Sequence, residues 1–242
     1  MEAMLIRERY KVIRVLDARE SYAFLEAVDI QDREKGTCFF NLYEGPLLRE
    51  FLNCFDRLSD CPEYRGMFVA GDTLVSVFDR CEGRTIDEVF RRGADYDWKT
   101  RLTYAELMLH KALSLANLPP EVSCAALLSD NVLVDLPGER IQLRYHVVPL
   151  EGMNPRELAW LSADQVKKIL LPRFGSPLEE LEFLEEAGSG ACASVIRLYA
   201  LWREKKDKIQ AAYEELDRKN PFRRWLILLW KTVRWKLRKR KR

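Results

Sequence analysis

Apolar positions recur every second residue through the first third of the chain and every third or fourth residue after it. Residues 10–16 and 22–28 are rich in β-branched and aromatic side chains and flank the polar stretch 17–21, which predicts a hairpin. Residues 31–36 form a second polar turn, and residues 37–43 read as a third strand. Pro46 opens a helix, because proline is tolerated in a first helical turn, and Leu47, Leu48, Phe51, Leu52, Phe55 and Leu58 recur along it at helical spacing. Residues 67–70 and 73–78 flank Gly71-Asp72 and predict another hairpin.

Beyond Gly83 the pattern turns helical. Thr85 and Glu88 stand three apart as a capping box. Residues 97–118 predict a long amphipathic helix stopped by Pro119-Pro120. Two short strands are expected at 132–135 and 140–145, around the turn 136–139. Residues 155–187 read as mainly helical, punctuated by Pro172, Gly175 and Pro177. After the break at 188–190 a helix runs to about Lys219. Within it Val195, Leu198, Trp202, Lys205, Ile209, Ala212 and Leu216 alternate steps of three and four. Three heptads are short for an independent coiled coil, so docking of this seam on the body is expected, with a dimer contact as the other reading.

With 242 residues, 48% hydrophobic and 32% charged, the chain can bury a core as one domain or as two packed lobes. No signal peptide and no membrane-spanning segment are expected. Six scattered cysteines without a C-x-x-C pair read as reduced, mostly buried thiols. Two isolated histidines, His110 and His146, supply neither a metal triad nor a nucleophile–base pair. The net charge of +2 hides an asymmetry. Residues 221–242 hold ten Lys or Arg and no acid, leaving 30 basic against 38 acidic residues, or −8, over residues 1–220.

The stretch Leu127-Leu128-Ser129-Asp130-Asn131-Val132-Leu133-Val134-Asp135 looks like the catalytic-loop exit of a protein kinase. Cys81-Glu82-Gly83-Arg84-Thr85-Ile86-Asp87-Glu88-Val89 looks like the hinge and following helix. With the order hairpin, strand, helix, hairpin, long helix and short hairpin, residues 8–150 resemble the protein-kinase fold. The fold this implies is α+β and bilobal: a mainly antiparallel β N-lobe over residues 1–80, a reduced helical C-lobe over 81–220, and a basic amphipathic helix over 221–242.

Carried over position by position, the resemblance implies that the residues of phosphoryl transfer are replaced. The glycine-rich loop falls on Asp17-Ala18-Arg19-Glu20-Ser21, whose carboxylates would repel phosphate. The phosphate-binding lysine falls on Asn41, and its glutamate partner on Glu50, which without that lysine reads as a solvated helix-face charge. The catalytic His-Arg-Asp falls on Cys124-Ala125-Ala126, with Ala126 in place of the base. The magnesium-binding Asp-Phe-Gly falls on Tyr145-His146-Val147, and Tyr145 offers a hard divalent cation no carboxylate. Asn131 matches the magnesium asparagine, or is an amide pinning a turn. The expectation is no catalytic residue, no cofactor and no metal, in a bacterial pseudokinase similar in plan to the cytoplasmic pseudokinase domain of the type VII secretion component. That family continues into a spanning segment. The alternative is an enzyme of the kinase or aminoglycoside-phosphotransferase type with displaced catalytic groups.

The last helix carries the second expectation. At about 100° per residue, Phe222, Trp225, Leu226, Leu229, Trp230, Val233 and Leu237 share one arc, while Arg223, Arg224, Lys231, Arg234, Lys236 and Arg238 cover the other. Ile227, Leu228 and Trp235 intrude on the cationic side. Such a helix suits an anionic membrane surface, which places the protein in the cytoplasm at the inner face of the cell membrane. An unknown protein partner is expected. Nucleic-acid phosphates are the other ligand weighed for the tail, as a nucleic-acid adaptor, and no small-molecule substrate is expected.

Overall fold

Residues 5–32, 36–172 and 175–239 are described by a computed structural model, and within the last helix the side chains of 222–230 and 233. The first lobe is one antiparallel sheet of six strands: β1 (Leu5–Ile6), β2 (Tyr10–Arg19), β3 (Tyr22–Asp29), β4 (Thr37–Glu44), β5 (Tyr64–Ala70) and β6 (Thr73–Asp79), in the order β1-β2-β3-β4-β6-β5. The sheet curls until its ends meet: Arg7 donates to the Val69 carbonyl at 2.8 Å and lies over the Phe68 ring. Both faces are therefore covered. One face encloses Leu25, Ala27, Phe40, Val75 and Val77 within the curl, and the other turns Phe24, Phe39, Tyr43 and Phe78 toward the second lobe. β4 is central, so its alternation of side chains serves two cores at once.

Helix α1 (Pro46–Phe55) lies on the face turned toward the second lobe, through Phe51, Cys54 and Phe55. Tyr43 stacks on Phe51 at 4.1 Å. The helix breaks at Asp56, short of the Leu58 that the apolar spacing suggested. The hairpin between β2 and β3 is also tighter than the polar run 17–21 predicts. Asp17, Ala18 and Arg19 pair in register with Phe24, Ala23 and Tyr22, which leaves a two-residue turn at Glu20-Ser21. A strand pair with matching partners outcompetes loop formation even when its residues are charged.

The chain crosses to the second lobe at residues 80–83. A side chain at Gly83 would put its Cβ 2.9 Å from the Val134 carbonyl oxygen, so only glycine fits there. A small sheet follows, made of β7 (Arg84–Thr85), β8 (Val132–Asp135) and β9 (Arg140–Leu143). The capping box forms as the spacing predicts: Thr85 N–H donates to Glu88 at 2.8 Å, and Glu88 N–H to Thr85 Oγ1 at 3.3 Å, opening the single-turn α2 (Ile86–Val89). Helix α3 (Trp98–Ser114), capped by Asp97, is the axis of the lobe. Against it pack α5 (Pro155–Leu170) and α7 (Val195–Asp217), with α6 (Leu178–Gly188) bridging α5 and α7. Pro119-Pro120 does not only stop α3. Pro120 starts a short buried helix, α4 (Pro120–Ala126), which the sequence pattern hid.

The heptad seam of α7 is turned inward. Val195, Leu198, Trp202, Ile209, Ala212 and Leu216 are all buried, and Trp202 meets Phe183 of α6 edge to face. Lys205 sits half-buried in that seam and pairs with Glu186 at 3.6 Å. The six cysteines are unpaired, and all but Cys81 are buried. The last helix, α8 (Pro221–Lys239), starts at Asn220, whose side chain accepts from Arg223 N–H at 2.9 Å. Among the described residues, no helix is long and apolar enough to cross a membrane.

Candidate functional site

The cleft between the lobes is closed by one asparagine. Asn41 lies in the middle of β4, fully buried, and every polar atom of its side chain is used. Its Oδ1 accepts from Tyr22 OH at 2.9 Å and from Val147 N–H at 2.8 Å, while its Nδ2 donates to the Tyr145 carbonyl at 2.9 Å. Two residues further along the same face of β4, Tyr43 OH donates to the Val147 carbonyl at 2.6 Å. Four hydrogen bonds thus fix residues 145–147 and the first lobe to each other, three across lobes and one within the sheet. All sit in the low-dielectric core, where such bonds are strong and leaving a group unpaired is expensive.

Tyr145, which the sequence resemblance sets against the magnesium carboxylate, runs its side chain into the core. The ring stacks on Phe78 at 4.8 Å and its hydroxyl lies 3.4 Å from Glu63 Oε2. Glu63 is paired with Lys111 of α3 at 2.6 Å, and this pairing pulls its carboxyl below the usual range against the opposing effect of burial. Burial lifts the Tyr145 hydroxyl far above the ordinary tyrosine range, so it stays a neutral donor. His146 enters the cleft instead. Its ring stacks on Phe24 at 4.3 Å and lies near Tyr22 at 5.9 Å, with Nε2 3.4 Å from Asp17 Oδ2. It fills the space beneath the β2–β3 turn, where the resemblance places the phosphates. Desolvation lowers the His146 pKa from the ordinary 6.5, and Asp17 opposes that only in part.

The other sequence-derived positions are scattered by role. Asn131 follows a short 3-10 turn and is buried; its Nδ2 donates to the Ala125 carbonyl at 2.7 Å and to the His146 carbonyl at 3.1 Å. Its Oδ1 is a buried acceptor without a partner. Ala126 is buried at the end of α4. Glu50 is exposed on the side of α1 away from the sheet. One amide oxygen beside an alanine and a core tyrosine does not fit magnesium, which needs carboxylates near octahedral geometry. Among the described residues no group of three or more His, Cys, Asp or Glu is placed to hold a metal ion.

What stays open is the cleft mouth, a cavity of about 400 Å³ lined by Arg14 and Leu16 of β2, Phe39 of β4, Arg80, Asp130 and Arg144, among others. Sequence reasoning missed this group, and missed Tyr22, Tyr43, Glu63 and Lys111. Only Tyr43 left a signal, being two residues from Asn41 on one strand.

On α8, the described side chains divide differently from the wheel. Leu228, which intrudes on the cationic arc, is the buried one, and α8 packs on α6. Arg224 lies 3.1 Å from Asp217, which also accepts from Trp98 Nε1. Phe222, Trp225, Leu226, Trp230 and Val233 face outward, with Phe222 69% and Trp230 61% exposed. Arg223 is exposed and Leu229 half-buried. The side chains of Lys231, Arg234, Leu237 and Arg238 lie outside the described residues.

Two measurements probe the cleft. Asn41→Ala strands three buried groups and is expected to lower unfolding free energy by about 2–4 kcal/mol in urea titration. Below pH 6.5 the unfolded chain protonates His146 before the folded chain does, so stability falls as pH drops from 6.5 toward the lowered folded value. His146→Phe should flatten that slope in thermal melts at pH 5–7; an unchanged slope would assign it elsewhere.

No family model and no curated protein matches the chain. Among solved structures it is similar to the kinase domain of PknI from Mycobacterium tuberculosis, with a TM-score of 0.56 at 12% identity over 84% of this chain and 98% of that one. A double-mutant form of the same domain gives 0.55 at 13% identity, over 85% and 99%. At such identity the likeness concerns the fold: the chain has the bilobal α+β architecture of a protein-kinase domain.

Proposed function

We propose that the chain is a catalytically silent, kinase-shaped scaffold that binds a protein partner and rests on the anionic inner face of a bacterial cell membrane through α8. The observation that carries the first half is the complete use of the Asn41 amide. A kinase needs a free cation at this position to meet phosphate and a mobile carboxylate after β9 to meet magnesium. Here a neutral side chain joins the two places and spends its hydrogen-bonding capacity doing so. Ala126 accepts no proton, and the β2–β3 turn is a two-residue hairpin without glycine. In this reading the positions of Asn41, Ala126 and Tyr145 neither activate a hydroxyl nor steady a leaving phosphate.

The second half is supported by the outward apolar arc of α8 and its charge. Three tryptophans and a leucine-rich arc beside ten cations suit the headgroup layer, where indole rings settle and each Lys or Arg contributes about 1 kcal/mol against anionic lipid. With Leu228 buried, Phe222, Trp225 and Leu226 are exposed and in this reading meet lipid.

In a thermal-shift assay ATP with magnesium should leave the melting temperature unchanged, since a ligand that binds the folded state raises it. A magnesium-dependent rise would restore the phosphotransferase reading. For α8, the full chain should co-sediment with vesicles containing phosphatidylglycerol. The double substitution Phe222→Asp, Trp225→Asp should reduce binding by about tenfold or more. Equal sedimentation of both forms, or tighter salt-sensitive binding to RNA or DNA than to vesicles, would overturn the membrane assignment.

A further inference from the structure

Residues 218–220 alone join α7 to α8, and each of them is bonded into a helix end. Arg218 N–H donates to the Glu214 carbonyl at 3.3 Å and Lys219 N–H to the Leu216 carbonyl at 3.1 Å, which carries the bonding of α7 into the turn. Asn220 then opens α8. Its side chain accepts from Arg223 N–H and its carbonyl from Arg224 N–H, both at 2.9 Å. Since α7 is held in the lobe by its buried seam, the start of α8 inherits a fixed position.

The same root is pinned from the side. Asp217 accepts from Trp98 Nε1 of α3 at 2.8 Å on one oxygen and from Arg224 Nη1 at 3.1 Å on the other, so one carboxylate joins three helices. Trp98 stacks flat on Tyr213 at 5.0 Å, and Tyr213 OH donates to the buried Glu180 of α6 at 2.7 Å. One turn beyond Arg224, Leu228 is buried where α8 packs on α6. Residues four apart share a helix face, so Arg224 and Leu228 mark the side of α8 turned to the body. Leu226 stands about 160° around the helix from Leu228 and is exposed, as is Phe222. Two adjacent cations therefore differ: Arg224 is paired with Asp217, whereas Arg223 is exposed.

We propose that α8 meets anionic lipid without leaving the body, as a rigid facet whose lipid-facing cations include Arg223 and exclude Arg224, so that a bilayer holds the lobes in one orientation. This gives the binding mode of the membrane reading and rests on it. Leu228 decides between a docked helix and a released one. Release would turn Leu228 to water while the opposite arc entered lipid; the docked helix keeps both apolar sides out of water at once. Charge agrees with this. Helix α6 carries five glutamates and no lysine or arginine, so cations on the inward side of α8 meet acid rather than lipid.

The test titrates the full chain with vesicles of phosphatidylglycerol and phosphatidylcholine and compares Arg223→Gln with Arg224→Gln. A free amphipathic tail would draw on both cations alike. The docked facet predicts that Arg223→Gln weakens binding about fivefold, the share of one cation near an anionic surface, and Arg224→Gln less than twofold. Hydrogen exchange of the unsubstituted chain supplies a readout that needs no variant. On vesicles α8 should gain protection, while α6 and residues 218–220 exchange as they do in solution. A loss from Arg224→Gln that equals or exceeds that from Arg223→Gln, or faster exchange of α6 and the connector on vesicles, overturns the docked mode and leaves membrane binding standing. Failure of the unsubstituted chain to bind the vesicles at all overturns both.

Discussion

A single buried amide sets the relation between the two lobes. Asn41 has three hydrogen-bonding valences in use, and each reaches a different part of the chain: Tyr22 on β3, the Tyr145 carbonyl and the Val147 amide after β9. A lysine here would have to leave the core or find a counter-ion, because a buried unpaired cation is costly. A neutral amide has no such need. It matches the two donors and one acceptor offered by its surroundings and can stay fully buried.

The neighbouring residues fit that arrangement. Once no cation occupies β4, a carboxylate at 145 would be buried without a partner; a tyrosine fills the space and reaches the Glu63–Lys111 pair with its hydroxyl. With residue 145 turned into the core, residue 146 turns outward, and His146 finds Phe24 and Asp17 under the hairpin. Asn131 ties the α4 end to the His146 carbonyl through its amide hydrogens, a structural task that needs no metal. Arg14, Arg80 and Arg144 place positive charge at the mouth of the cleft.

The strands and long helices were legible because their periods are local. The alternation in β4 and the three-four steps of α7 need no knowledge of the rest of the chain. The kinase-like plan followed from element order. The cross-lobe bonds were not legible, since Asn41 and Val147 are 106 residues apart and neither sequence neighbourhood marks the other. The fate of Arg14 was hidden for a different reason: a bulge changes which face a residue takes, and strict alternation puts Arg14 with Val12. The wheel of α8 likewise treated Leu228 as an intruder, when it is the residue that docks the helix.

Native-state hydrogen exchange at the Val147 amide tests the central constraint most directly, because that proton is held by Asn41 across the lobes. The account predicts protection comparable to the slowest core amides of β4, unaffected by ATP and magnesium. Exchange at the rate of an open loop, or protection gained only when nucleotide and magnesium are added, would contradict it.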